Sequence, residues 1–308
     1  MARNKIAVIV SLLFIVSTIA AVALIFSQKK LKKAETEYAQ RSQNKIAVVN
    51  IYGVIKASSK PTGALTPSSE RIIKQLKKIE EDRSVKAVVL RINSPGGTVA
   101  AVEEIYAEVM KVRAAHKPVV ASFSDIAASG GYYVATAADK IVANPGTLTG
   151  SIGVIMEMGN FTGLMQKFGV KFETIKSGRY KDIGSFSREM TPEEKVILQN
   201  VINDAYERFL AAVITGRKLD PQKARELADG RIYTGAQALK EGLVDSLGSM
   251  DDAVDTAKKL AGITGKVKIV NDTGQLERLL DLLPVGLDEK AVDRLMPETK
   301  VRFEYSME

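Results

Sequence analysis

Cysteine is absent from the 308 residues, and histidine occurs once, as His116. The first absence excludes disulfides, thiolate nucleophiles and Cys-ligated zinc. The second excludes His-rich metal sites and any catalysis that needs two imidazoles. A Ser-His-Asp arrangement could draw its base only from His116. Also missing is the interleaving of basic and aromatic residues that grips single-stranded nucleic acid. The net charge of +8 lies partly in Lys29, Lys30, Lys32 and Lys33 and is otherwise scattered among acidic residues on predicted helices. It reads as solvated surface, so no nucleic-acid partner is expected. Two phosphate and hydrolase signatures are lacking as well. No Gly-Lys-Ser/Thr follows a glycine turn, which excludes a Walker A loop, and no G-x-S-x-G elbow occurs, which disfavours an α/β-hydrolase.

What is present begins with an apolar run over residues 6–26, interrupted only by Ser11, Ser17 and Thr18. It is long enough to cross a hydrocarbon core of about 30 Å as a helix. It passes through Leu24, Ile25 and Phe26 straight into lysines, without a small-residue cleavage site, so an uncleaved anchor over residues 1–28 is expected rather than a signal peptide. Residues 29–44 read as a polar stalk. About 265 residues then remain, enough for a sizeable core.

The body shows strand patterns at 45–51, 85–92, 118–123, 140–143 and 150–155. They alternate with helical stripes at 71–81 (Ile72, Ile73, Leu76, Ile79), 98–113 (Val102, Ile105, Val109, Val112) and 132–138. That alternation predicts an α/β fold of right-handed βαβ units on a mostly parallel sheet. Thr191-Pro-Glu-Glu194 has capping-box spacing with proline at the first helical position. The helix it opens is predicted to reach residue 215, with Leu198, Ile202, Ala205, Phe209 and Val213 inward. Short helices follow at 236–241, closed by Gly242, and at 251–260. Beyond residue 265 no pattern assigns structure.

Two glycine pairs carry the chemical signal. Asn93-Ser-Pro-Gly-Gly97 and Ala128-Ser-Gly-Gly131 each follow a strand and open a helix. Helix N-termini at the carboxyl ends of parallel strands present free N–H groups, and glycine lets such a group approach an oxyanion. Each turn alone could be an ordinary tight turn; the pair could form an oxyanion hole with Ser129 beside it. His116 lies at the opposite end of its strand, so a lysine base is the remaining choice. A lysine accepts a proton only when neutral, which requires a pKa near 7 or 8 instead of about 10.4 and hence a dry pocket. Composition does not choose among the lysines, and without more, Lys181 reads as a solvated loop residue, Ser129 as a helix cap and Ser151 as a polar strand-edge residue.

Several motifs in order do choose. Residues 127–133 (Ala-Ala-Ser-Gly-Gly-Tyr-Tyr), 148–154 (Leu-Thr-Gly-Ser-Ile-Gly-Val), 175–178 (Ile-Lys-Ser-Gly) followed by Lys181 and Asp182, 229–235 (Asp-Gly-Arg-Ile-Tyr-Thr-Gly) and 242–245 (Gly-Leu-Val-Asp) resemble the bacterial signal peptide peptidase A family, in its short, single-repeat form. The resemblance covers residues 45–265 as a Ser-Lys peptidase domain and leaves 266–308 as a C-terminal extension. It implies a crotonase/Clp-protease-like fold, Ser129 as nucleophile, Lys181 as general base, Gly97 and Gly130 as oxyanion-hole donors, and Ser151 as the residue orienting the lysine. It further implies a homo-oligomeric ring with active sites between subunits, and cleaved signal peptides and other apolar peptides as substrates. No cofactor and no metal is implied. The resemblance puts the catalytic body outside the cytoplasm of a single-pass membrane protein, whereas the lysines after the apolar run favour the opposite orientation by charge bias. Two other readings stay in view: an acyl-CoA hydratase or isomerase, which would use paired N–H groups on a thioester, and a non-catalytic membrane scaffold.

Overall fold

The strand Lys45–Tyr52 (β1) buries Ile46, Ala47, Val48 and Val49 in succession. A strand buried at consecutive positions must be covered on both faces, the signature of a parallel sheet between helices. The computed structural model, which describes residues 44–57, 68–265, 267–271 and 302–306, has that arrangement. The apolar run at 6–26 and residues 29–43 of the expected stalk lie outside the described residues. Among the described residues no helix is long and apolar enough to cross a membrane.

The strands Val85–Ser94 (β2), Gly96–Thr98 (β3), Val119–Ala128 (β4), Lys140–Ala143 (β5), Leu148–Gly150 (β6), Ile155–Glu157 (β7), Ile232–Thr234 (β8), Ser246–Leu247 (β9), Lys268–Asn271 (β10) and Arg302–Ser306 (β11) form two sheets. The larger has the order β10-β1-β2-β4-β5-β9, with every neighbouring pair parallel. Side-chain alternation divides its residues between two cores. Val49, Ile51, Leu90, Ile92 and Phe123 enter the larger cluster, while Ile46, Val48, Val89 and Val120 face the smaller one. The helices Ser69–Glu81 (α1) and Val99–Ala114 (α2) supply the larger core with Ile72, Leu76, Ile79, Val102, Ile105, Val109 and Val112. The other face is closed by Met250–Leu260 (α8) through Ala253, Val254 and Ala257.

Strand β4 is long enough to serve two neighbours. Val120–Ser122 pair with β5, and Ile126–Ala128 pair with β6, which in turn pairs antiparallel with β8. The far end of β4 therefore has its own neighbours off the main strand order, and the buried helix Gly130–Thr136 (α3) starts directly from it. The helices Thr162–Lys167 (α4), Pro192–Arg217 (α5), Pro221–Leu227 (α6) and Gly235–Lys240 (α7) complete the described set. Helix α5 begins in the expected capping box: Thr191 Oγ1 accepts from Glu194 N–H, and Glu194 Oε2 accepts from Thr191 N–H. Its second half packs into the core, where the Phe209 ring stacks on Tyr133 at 4.8 Å between centroids. Its first half stands out from the core, so Leu198 and Ile202 are only half-buried.

The expected strand over 150–155 is two strands. Ser151, next to Gly150 at φ +80°, has φ +49°, outside the extended region of an L-residue strand. β6 therefore ends at Gly150, and β7 starts anew at Ile155.

Candidate active site

Ser129 follows the last residue of β4 and has φ 50° and ψ −119°. A non-glycine residue in that conformation costs on the order of 1–3 kcal/mol and persists only where its surroundings impose it. Here Ser129 N–H donates to Gly150 O, and Ser129 O accepts from Tyr133 N–H, both at 2.8 Å. Ser129 occupies the N-cap position of α3, but its hydroxyl makes no capping hydrogen bond. The Oγ is buried and has no hydrogen-bond partner. A buried hydroxyl left unpaired carries a penalty of about 1–3 kcal/mol, so this one neither caps the helix nor stabilises the fold.

Four non-glycine residues have positive φ among the described residues: His116, Ser129, Ser151 and Lys218. Lys218 caps the C-terminus of α5, and His116 follows that of α2, where left-handed residues are routine. The other two are the serines singled out by sequence. They are adjacent, because Ala128 pairs with Gly150 in parallel register and each serine comes next. Neighbouring strands run about 4.8 Å apart. Ser151 N–H is fixed on Arg231 O at 2.8 Å, which gives the 229–235 motif a supporting task. His116 precedes β4, whose ten residues at about 3.3 Å each separate it from Ser129 by roughly 30 Å.

The two glycine turns meet. A Cβ on Gly130 would stand 2.6 Å from Val102 Cγ2, 3.1 Å from Gly97 N and 3.2 Å from Gly96 Cα. A Cβ on Gly97 would stand 1.8 Å from Ile55 O. Neither position admits a side chain without moving backbone or α2. We expect Gly130→Ala to lower the thermal midpoint by several degrees and to reduce peptide turnover by about 10²-fold or more, in a paired melting and activity measurement. Turnover equal to that of the unmodified chain would separate Gly130 from the chemistry.

Two segments pair with the backbone of the first turn. Ile55 N–H donates to Gly96 O, and Thr98 N–H donates to Ile55 O. Strand alternation then turns the Gly97 N–H to the opposite side, where β11 pairs antiparallel with β3 in the register Tyr305 to Gly97. On its other edge β11 pairs antiparallel with β7, Phe303 opposite Met156. An extended segment is thus held by backbone on both sides, between the strand bearing Gly97 and the one that follows Ser151. Nothing in the sequence pattern at 302–306 signalled this.

Lys181 is not brought to Ser129 within the chain. It is exposed, in a series of turns in which Lys181 N–H donates to Gly178 O and Ile183 N–H to Tyr180 O. The stretch around it, from β7 to α5, exposes Phe161, Leu164, Phe168, Phe172 and Ile175. Asp182, next to the lysine, is bound on both carboxylate oxygens by Arg188 and on one by Lys176. Arg188 first, and then Lys176, hold its carboxyl well below the usual carboxylate range. Sequence reasoning did not single out Arg188, although it stands three residues before the capping box.

Comparison with known proteins completes the picture. Residues 111–264 match the family model Peptidase family S49, a span that contains Ser129, Gly130, Ser151 and Lys181. The chain belongs to peptidase family S49. As an S49 member it is a serine peptidase. A provisionally named protease of Synechocystis sp. is 48% identical over 202 residues, 66% of this chain and 73% of that protein. A protein of Enterococcus faecium with the provisional name signal peptide peptidase SppA is 39% identical over 261 residues, 83% of this chain and 76% of its own length. The chloroplastic serine protease SPPA of Arabidopsis thaliana is 36% identical over 262 residues, 82% of this chain and 38% of that protein.

Proposed function

We propose that this S49 peptidase degrades the apolar remnants of cleaved signal peptides, with Ser129 as nucleophile and Lys181 of a neighbouring copy as general base. The observation that carries the reading is β11, an extended segment paired to Gly97 on one side and, on the other, to β7, the strand that follows Ser151, in a chain whose Ser129 hydroxyl is buried and unpaired. A peptide received in that way presents a carbonyl to the serine through main-chain pairing, which suits substrates of varied sequence. The substrate class is supported by the name of the Enterococcus faecium relative.

The chemistry follows. The neutral Lys181 amine takes the Ser129 Oγ proton as Oγ attacks the scissile carbonyl carbon. The N–H groups of Gly97 and Gly130 receive the oxyanion of the tetrahedral intermediate. As the C–N bond breaks, the lysine ammonium returns the proton to the leaving amine, and an acyl-serine remains. Water, deprotonated by the same amine, attacks the acyl carbon, and as the C–Oγ bond breaks the ammonium returns the proton to Ser129 Oγ and the acid leaves. Ser151, beside Ser129, holds the amine in place.

Two observations support a site built between copies of the chain. The Ser129 hydroxyl has no partner of its own, and Lys181 stands on an exposed, apolar-rich arm. A second copy that covers the arm would remove water from the lysine, as a neutral amine requires. The parallel α/β body supports the crotonase/Clp-protease type of fold, whose stacked βαβ units oligomerise. The run at 6–26 supports a single membrane anchor, and the resemblance to the signal peptide peptidase A family, against the charge bias of the lysines that follow, supports a catalytic body outside the cytoplasm.

The test is to incubate the full chain with a synthetic signal peptide and, separately, with a serine-directed phosphonate, and to read both by mass spectrometry. Cleavage within the apolar region and a single adduct at Ser129 are expected. An intact peptide together with turnover of an acyl-CoA thioester would replace this reading with the hydratase class.

A further inference from the structure

We infer that Arg188 is a positioning residue for the base: it ties the turn bearing Lys181 to the capped start of α5, and by engaging Asp182 it keeps that carboxylate from holding the neighbouring amine in its charged form. The inference rests on Lys181 being the general base.

The geometry is a double fork. On one side Arg188 Nε donates to Asp182 Oδ2 at 2.9 Å, and Nη2 donates to Oδ1 at 2.8 Å and to Asp182 O at 3.2 Å. On the other side Nη1 donates to Glu194 Oε2 at 2.8 Å and Nη2 to Oε1 at 2.5 Å. Nη1 also donates to Glu189 O at 3.0 Å. A planar guanidinium offers five N–H groups in fixed directions, so it can clamp two carboxylates at once; an ammonium cannot. Glu194 is only 2% exposed and already accepts from Thr191 N–H in the capping box. The far half of α5 is anchored in the core by Ala205, Phe209 and Val213. A rigid path therefore runs from the core through α5, Glu194 and Arg188 to Asp182, the residue next to Lys181.

The local charges balance. The groups that face Asp182 are Arg188 and Lys176, whose Nζ lies 2.6 Å from Oδ1. Arg188 in turn meets Glu194, while nearby Arg179 is paired with Glu193 at 3.4 Å. Two carboxylates, Asp182 and Glu194, thus stand against two cations, Arg188 and Lys176. Loss of Arg188 alone leaves an excess negative charge in the turn that bears Lys181. A nearby negative charge favours the ammonium, so the amine would become neutral only at higher pH.

The test compares pH–rate profiles of the full chain on one peptide substrate with those of Arg188→Gln, Arg188→Lys and the neutral triple variant Asp182→Asn/Arg188→Gln/Glu194→Gln, with thermal midpoints measured in parallel. Arg188→Gln is expected to lower kcat by about tenfold, leave KM within about threefold and move the acidic limb of kcat/KM up by about one pH unit. Arg188→Lys should keep the limb in place but lose kcat, because the charge remains and the fork does not. The triple variant should bring the limb back to or below its original position. A lowered thermal midpoint with an unmoved limb in Arg188→Gln would reduce the residue to a structural tie and overturn the inference. Lys181→Ala, run alongside, separates the two levels: if it is inactive while Arg188→Gln matches the unmodified chain, the inference fails alone, and if it retains activity, the base assignment fails with it.

Discussion

Ser129→Ala is expected to abolish peptide hydrolysis, by about 10⁴-fold or more, while the thermal midpoint stays within a degree or two of the unmodified chain. The two halves of this expectation have one source. The Oγ is buried and makes no hydrogen bond, so its removal breaks nothing in the folded chain and relieves an unsatisfied polar group. The backbone at φ 50° is held by Ser129 N–H on Gly150 O and by Tyr133 N–H on Ser129 O, and alanine keeps both bonds. A structural serine would behave in the opposite way, with turnover preserved and stability reduced. Initial rates on a signal peptide, phosphonate labelling and a melting curve distinguish the cases.

Lys181→Ala is the second large effect, a loss of about 10³-fold or more in kcat. Its stability cost should be negligible, since the side chain is exposed and the turn is held by backbone bonds and by Arg188. A solvated lysine with no task would give unchanged rates on removal. The combination of an exposed side chain and a lethal substitution is informative only if another copy of the chain completes the site. Assembly should therefore be followed by sedimentation in the same samples, because dissociation of the particle would also stop turnover.

Much of the body was legible in the sequence because its signals are local. The stripe Val102, Ile105, Val109 and Val112 repeats at helical spacing, and all four residues are buried. Thr191-Pro-Glu-Glu194 encodes its own cap, and the structure forms both reciprocal bonds. A similar signal was present but unused at Asp220-Pro221, where Asp220 caps α6 through Gln222 and Lys223 N–H. The glycine turns were readable as a pair because glycine is enforced there by close backbone approach, at Gly97 by Ile55 O and at Gly130 by Val102 and the 96–97 backbone.

What escaped depends on residues distant in the chain. The break between β6 and β7 comes from positive φ at a serine, for which Ser151 offers no propensity of its own. The antiparallel pairing of β11 with β3 and β7 joins segments separated by about two hundred and about one hundred and fifty residues, which no local pattern signals. Lys181 could be named only through resemblance, since composition does not separate one lysine from the rest. The chain taken alone leaves it in solvent, away from the hydroxyl it would deprotonate.

The most direct measurement mixes two inactive proteins. Ser129→Ala and Lys181→Ala chains, each without turnover, are co-assembled in equal amounts and assayed on a signal peptide. If each site takes its serine from one copy and its lysine from the next, random mixing restores about a quarter of the full activity. Mixed particles of the same size that remain inactive would contradict a catalytic pair shared between copies.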